Sequence, residues 1–282
     1  MQTLFNAKEK LILDSVEDFT KSMTKSEKDI YNYIVSNLAS ILTLDKGKVV
    51  LTDNFLTEDL ENFYKVVADA LKKNNYVSYV DLLISRTPEI DALNQKIYSL
   101  TNKNVSGINK VFENNNIKKA QQGLIDKMIY SLRGDGVRQG LLAPLGDILT
   151  NTASNKLSYD FLLKSLENSL FESGQNILGQ WSSSTAREGL FGYSRGVNQA
   201  VKVEYKLNGH LYAGGLIATS RQICIDLVNL ERFKDDVLAA KIDKYKNPST
   251  GLLYGKFTTV ENFHNNCGGA NCLHESYPIR ID

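Results

Sequence analysis

The sequence predicts a mainly α-helical protein in which an elongated helical body carries a compact, β-hairpin-containing α+β domain at its C-terminal end. Two observations predict it. Apolar residues recur at helical spacing through most of the first 180 positions. From Val201 the pattern changes to period-two alternation, followed by a stretch rich in Gly, Cys and His.

The first 45 residues read as two helices. Leu11, Ile12, Val16 and Phe19 form one apolar stripe, and Ile30, Tyr33, Ile34, Leu38 and Ile41 form a second after a start signal at Thr24-Lys25-Ser26-Glu27. Val49-Val50-Leu51, after the break at Lys46-Gly47-Lys48, suits a short strand. Thr57, with Glu58 and Asp59 behind it, has the hydroxyl and early acids that satisfy the free N–H groups of a helix start. Thr87-Pro88-Glu89 is another start, with proline where its missing N–H costs nothing. Residues 101–116 shift to Asn, Lys, Ser and Gly and read as a linker or exposed turn region. Helix resumes over Ile117–Leu132, ends at the Gly134/Gly136 turn, and recurs over Leu141–Leu149 and Tyr159–Phe171. Ser184-Thr185 is placed to cap a helix through Leu190 and Val197. Val201–Leu207 and His210–Ile217 then read as two strands joined by an Asn208-Gly209 turn. The organisation implied is 1–116, an N-terminal helical region; 117–180, a helical connector; and 181–282, a C-terminal domain.

Composition narrows the function classes. Thirty-three Lys and Arg stand against 32 Asp and Glu, so the net charge of +1 draws the chain toward neither nucleic acid nor an anionic membrane. No apolar run approaches the roughly 18 residues that a membrane span needs. Three cysteines in 282 residues make no disulfide scaffold and suit a reducing compartment, with assembly in a cytoplasm.

The chemistry-bearing residues cluster late. Cys224, Cys272 and His274, with Cys267 or His264 as a fourth donor, make a set of soft and borderline ligands suited to one zinc ion. The competing reading is equally concrete: the cysteines are small buried hydrophobes and His274 a hydrogen-bonded core residue, since the spacing matches no standard zinc knuckle. Arg221 suits an anion or a nearby acid, with Asp226 the local candidate. Gly214-Gly215 and Gly268-Gly269 lack the Lys-Ser/Thr of a phosphate loop, and close backbone packing explains them at least as well.

A series of motifs runs in order through this end: Thr185-Ala186-Arg187-Glu188-Gly189-Leu190, Asn198, Tyr212-x-Gly214-Gly215, Ser220-Arg221-x-x-Cys224, and Gly268-Gly269-x-Asn271-Cys272-x-His274 with Pro278. The series resembles the C-terminal domain of tailed-phage minor head proteins, the head morphogenesis proteins of the Mu F-like group. It covers residues 180–282, and the helices over 117–180 have the look expected before it. Leu273 stands where that group commonly has a basic residue, and Ala270 where an aromatic is common. The resemblance implies a noncatalytic structural protein of the virion, at the head or portal vertex, acting in head assembly or DNA entry. Its implied partners are the portal or other head proteins, with packaged DNA a further one and no membrane. The alternative is a metal-dependent nuclease or other enzyme using the Cys/His end, for which His264-Asn265 would supply an HNH-type base.

Overall fold

A computed structural model describes residues 1–171, 177–269 and 272–282, the side chains of Leu56 and Thr57 excepted. The protein is mainly helical with a small α+β region toward its C-terminus. In order, the elements are α1 (Gln2–Leu38), β1 (Leu44–Asp45), β2 (Lys48–Val49), α2 (Leu60–Lys73), α3 (Tyr76–Ile84), α4 (Thr87–Thr101) and α5 (Asn115–Arg133). There follow α6 (Asp135–Val137), α7 (Ala143–Ser154), α8 (Tyr159–Phe171), α9 (Ile177–Glu204), β3 (Gly209–Ala213), α10 (Gln222–Leu230), β4 (Arg232–Lys234), α11 (Asp235–Tyr245), α12 (Phe263–Asn266) and β5 (Glu275–Ile279). The chain divides into two compact units assembled from separated stretches. One comprises 1–14, 85–128 and 187–282; the other comprises 15–84 and 129–186. Positions 116 and 180, the expected domain boundaries, fall inside α5 and α9.

Within the second unit the core is a set of helical stripes. Val16, Phe19, Met23, Ile30 and Ile34 from α1 are buried, as are Phe63 and Val67 from α2 and Leu162, Leu166 and Leu170 from α8. Tyr76 donates its hydroxyl to Leu132 O and lies 6.0 Å from the ring of Trp181. The break expected at Thr24-Lys25-Ser26-Glu27 does not occur: α1 runs through it. Met23 and Ile30 are both buried and lie two helical turns apart, so the apolar stripe stays in phase. Ser26 returns its hydroxyl to Ser22 O at 3.2 Å instead of starting a new helix. β1 and β2 form a small hairpin whose turn residues, Lys46 and Gly47, both take positive φ. The Thr57 cap lies outside the described side chains; α2 begins three residues later.

The other unit holds the three-stranded antiparallel sheet, in the order β4-β3-β5. Two expectations are corrected here. Residues 101–116 are no linker: Val105, Ile108 and Val111 are buried, and residues 108–113 form a 3-10 helix. Nor is there a hairpin at Asn208-Gly209. α9, already under way from Ile177 rather than starting at Ser184, continues to Glu204, because Leu190, Val197 and Val201 keep one helical face buried while Val203 stays 68% exposed. Lys206 adopts φ 49°, and the amides of Lys206 and Leu207 return to Val203 O and Lys202 O, closing the helix in a Schellman arrangement. Asn208 then pairs both its amide atoms with the backbone of Ile281. The strand expected over 210–217 exists as β3, but its neighbours are the distant β4 and β5.

The outer edge of β5 is covered by side chains. Arg195 donates to His274 O at 3.1 Å, His264 to Ser276 O at 2.6 Å, and Asn102 to Pro278 O at 3.1 Å while accepting from Arg280 N. Alternate carbonyls that would otherwise recruit another strand are thereby occupied.

Candidate metal centre

The site is built where β3, the first turn of α10 and the segment entering β5 meet. Tyr212 lies on β3, the central strand. Cys224 lies at the start of α10, where the Cys224 amide bonds to Arg221 O at 2.9 Å. Cys272 and His274 immediately precede β5. All four residues are nearly or fully buried. They extend an apolar cluster that includes Ile223, Leu227, Phe233, Phe263 and Leu253, which holds the cysteines away from bulk water.

The geometry fits zinc. Cys224 Sγ and Cys272 Sγ lie 3.8 Å apart, Cys272 Sγ lies 3.6 Å from His274 Nδ1, and the three ligand atoms all fall within 4.8 Å of one another. Tetrahedral zinc, with bonds of about 2.3 Å to sulfur and about 2.0–2.1 Å to nitrogen, requires S···S edges of about 3.8 Å and S···N edges of about 3.6 Å. Two of the three edges match these lengths, and the third, Cys224 Sγ to the His274 ring nitrogen, is within 4.8 Å. Glycine makes the approach possible. A Cβ on Gly268 would overlap Cys224 Sγ and lie 3.1 Å from Cys272 Sγ, and one on Gly214 would lie 2.6 Å from the His274 ring. When bound, zinc would supply a structural crosslink between α10 and β5.

Electrostatics favour a thiolate at Cys272, with Cys224 held as the protonated donor to it. The hydrogen bond from Cys224 pulls the Cys272 thiol down, helped by His274 and by the Arg195 charge; Cys224 is correspondingly pushed up. Arg195, fully inside, donates to Cys272 O as well as His274 O and stacks over Phe191 at 5.4 Å. It fixes the ligand-bearing backbone and places a positive charge beside the thiols.

Neither expected fourth ligand joins the group. Cys267 points its sulfur at His264 O, 3.6 Å away, and burial pushes its thiol up to about 12. His264 is committed through Nδ1 to Ser276 O and stacks on His210 at 4.6 Å between ring centres. Other sequence readings also change. Arg221 donates to Gly268 O at 2.7 Å and covers the Tyr254 ring, whereas Asp226 pairs with Lys241 at 2.7 Å and accepts from Tyr245. Ala270 and Asn271 lie outside the described residues. Lys8, Arg195 and Glu275 were not singled out by sequence. Arg195 falls on the buried face of α9 one turn from Phe191, but Glu188, Asn198, Gln199 and Lys202 share that side of the helix, so no local signal marks it as buried.

A second buried cluster adjoins β5. His210 bonds Asp235 at 2.7 Å through Nε2 and Ser276 Oγ at 3.0 Å through Nδ1, while Lys202 reaches both Asp235 and His210. Burial drives His210 below its ordinary value, Lys202 acting in the same direction and Asp235 opposing it; burial and the neighbouring His210 drive His264 well below. Their folded values lie under the unfolded value of about 6.5, so the unfolded chain binds more protons and stability falls as pH drops below that point. Asp91 opposes this. Burial raises it to about 6, so its proton uptake between about 6 and 4 favours the fold. With two histidines against one carboxyl, urea midpoints are expected to fall between pH 7.5 and 5.5, and to fall more steeply in Asp91→Asn. A flat profile would refute the assignment.

Comparison of the chain with protein-family models, with curated proteins and with solved structures finds no match. Among the described residues no helix is long and apolar enough to cross a membrane.

Proposed function

We propose that this chain is a noncatalytic minor head protein of a tailed bacteriophage, associated with the portal or neighbouring head proteins and acting in head assembly or DNA entry. The observation that supports the reading is convergence. The residues that carry the resemblance span 185–278, and Tyr212, Gly214, Cys224, Gly268, Cys272 and His274, up to 62 positions apart, meet in one cluster, with Arg221 bonded to Gly268. Shared packing of this kind gives the ordered motif a physical reason to exist as a set. On this reading the C-terminal region is a folded docking unit closed by its Cys/His group, and the near-zero net charge suits protein partners better than bulk coating of DNA. The burial of His264 and its bond to Ser276 O support this reading over the nuclease alternative, which needs that imidazole within reach of a substrate.

The test is made in an assembling phage system lacking this chain and complemented by it. The expected result is that purified particles contain the chain in few copies at the portal vertex, and that its omission lowers the yield of DNA-filled particles. Particles of normal yield, DNA content and infectivity formed without it would refute the proposal.

A further inference from the structure

Three protein donors leave one vertex of a tetrahedron to be filled, and what fills it decides whether the centre is open to exogenous ligands or closed. We propose that the phenol oxygen of Tyr212 is the fourth zinc ligand, making a closed site of two cysteines, one histidine and one tyrosine. The inference rests on the zinc reading above and adds the vertex that reading lacks.

Geometry carries it. Tyr212 Oη lies 3.5 Å from Cys224 Sγ and 3.6 Å from Cys272 Sγ. A zinc–oxygen bond of about 2.0–2.2 Å opposite zinc–sulfur bonds of about 2.3 Å gives S···O edges of about 3.5–3.7 Å. Four edges of one coordination tetrahedron are therefore present together: one S···S, one S···N and two S···O. The ring has little freedom to leave. It stands on the central strand, lies stacked on His274 with 5.4 Å between centres and 9° between planes, and leans on Phe263 at 5.8 Å. The two sulfurs are the hydrogen-bond partners recorded for its hydroxyl among the described residues. A Cβ on Gly268 would lie 3.5 Å from the same oxygen, so this glycine packs against the two sulfurs and the phenol together. As the oxygen–metal bond forms, the phenol proton passes to solvent; the charge of the ion supplies the driving force that a buried phenol lacks by itself.

The experiment uses the full chain, wild type and Tyr212→Phe, loaded with Co²⁺ as a spectroscopic stand-in for zinc, with azide as the probe of a vacant vertex. Phenylalanine keeps the ring and its stacking while deleting the one donor atom. The wild-type cobalt spectrum is expected to be tetrahedral and unmoved by azide. In Tyr212→Phe the metal should bind at least tenfold more weakly and its spectrum should shift on adding azide. A wild-type spectrum that itself shifts with azide, or a Tyr212→Phe protein with unchanged affinity and no azide response, would overturn the tyrosine assignment while leaving the metal centre standing. Failure of the wild type to bind Co²⁺ or Zn²⁺ at all would overturn the underlying zinc reading. The wild-type azide titration decides the question even should the variant fold poorly.

Discussion

Lys8→Met is expected to destabilise the protein by about 3–5 kcal/mol, because it strands a carboxylate in the interior. Lys8 is 1% exposed, forms an ion pair with Glu275, donates to Asn94 Oδ1 at 2.7 Å and to Ser194 Oγ at 2.9 Å, and sits 4.3 Å above the centre of the Tyr277 ring. Phe5, one turn earlier, stacks on the same ring at 4.9 Å. Burial lowers Lys8 even beside its partner. Burial alone would raise Glu275, yet the charge of Lys8, with donors that include Tyr277, holds it below its usual range. Each charge is tolerated only because the other is present. Removing the lysine leaves Glu275 with only the neutral hydroxyls of Tyr277 and Ser194, and its Oε1 has no hydrogen-bond partner among the described residues. The double variant Lys8→Met/Glu275→Gln should recover most of the loss, since replacing both members of a buried pair approaches neutrality. Urea unfolding of the two singles and the double gives the coupling directly. A single-variant loss below about 1 kcal/mol would show that the pair is solvated and the interior network is not what anchors the start of α1 to β5.

This lysine also shows where sequence reading ran out. Helices were legible because their signal is local: periodicity places α4, α5, α7 and α8 within a few residues of their observed ends. Where structure departs from local pattern, one cause recurs: at Val201–Leu207 the helical phase entering from Leu190 overrides a short alternating run, and at Ser26 the apolar stripe continues beneath a capping residue. Short-range signals lose to a longer apolar face whenever both cannot be satisfied. The Cys224, Cys272 and His274 grouping was legible from residue type, because few side chains bind soft metals and the chain holds only three cysteines. Its fourth member was not. Cys267 and His264 were favoured for their nearness in sequence, whereas Tyr212 approaches through the pairing of β3 with β5, a contact that links positions more than 60 apart. Lys8 was invisible for the same reason. An ordinary helical lysine beside Glu9 and Lys10 reads as surface until the strand that buries it is in place.

Cys272→Ser is expected to abolish zinc binding and, with it, a large part of the stability of the unit that contains it. Elemental analysis of protein purified with zinc present should find about one ion per wild-type chain and none in the variant. A site that exists only in the fold converts its binding energy into stability, contributing about 4 kcal/mol when free zinc exceeds the dissociation constant a thousandfold. The design that separates coordination from packing is to treat both proteins with a chelator. Serine puts a hydroxyl where chelated wild type has a buried thiol, so untreated Cys272→Ser should unfold about 1–3 kcal/mol below chelated wild type, with the chelator lowering wild type and leaving the variant where it was. If the cysteines serve only as buried apolar groups, the pattern inverts: the chelator leaves wild type unmoved, no zinc is found, and Cys272→Ser still loses about 1–3 kcal/mol from placing an unpaired hydroxyl among Ile223, Leu227 and Phe263. The zinc content and the chelator response of the wild type distinguish the two outcomes before any variant is made.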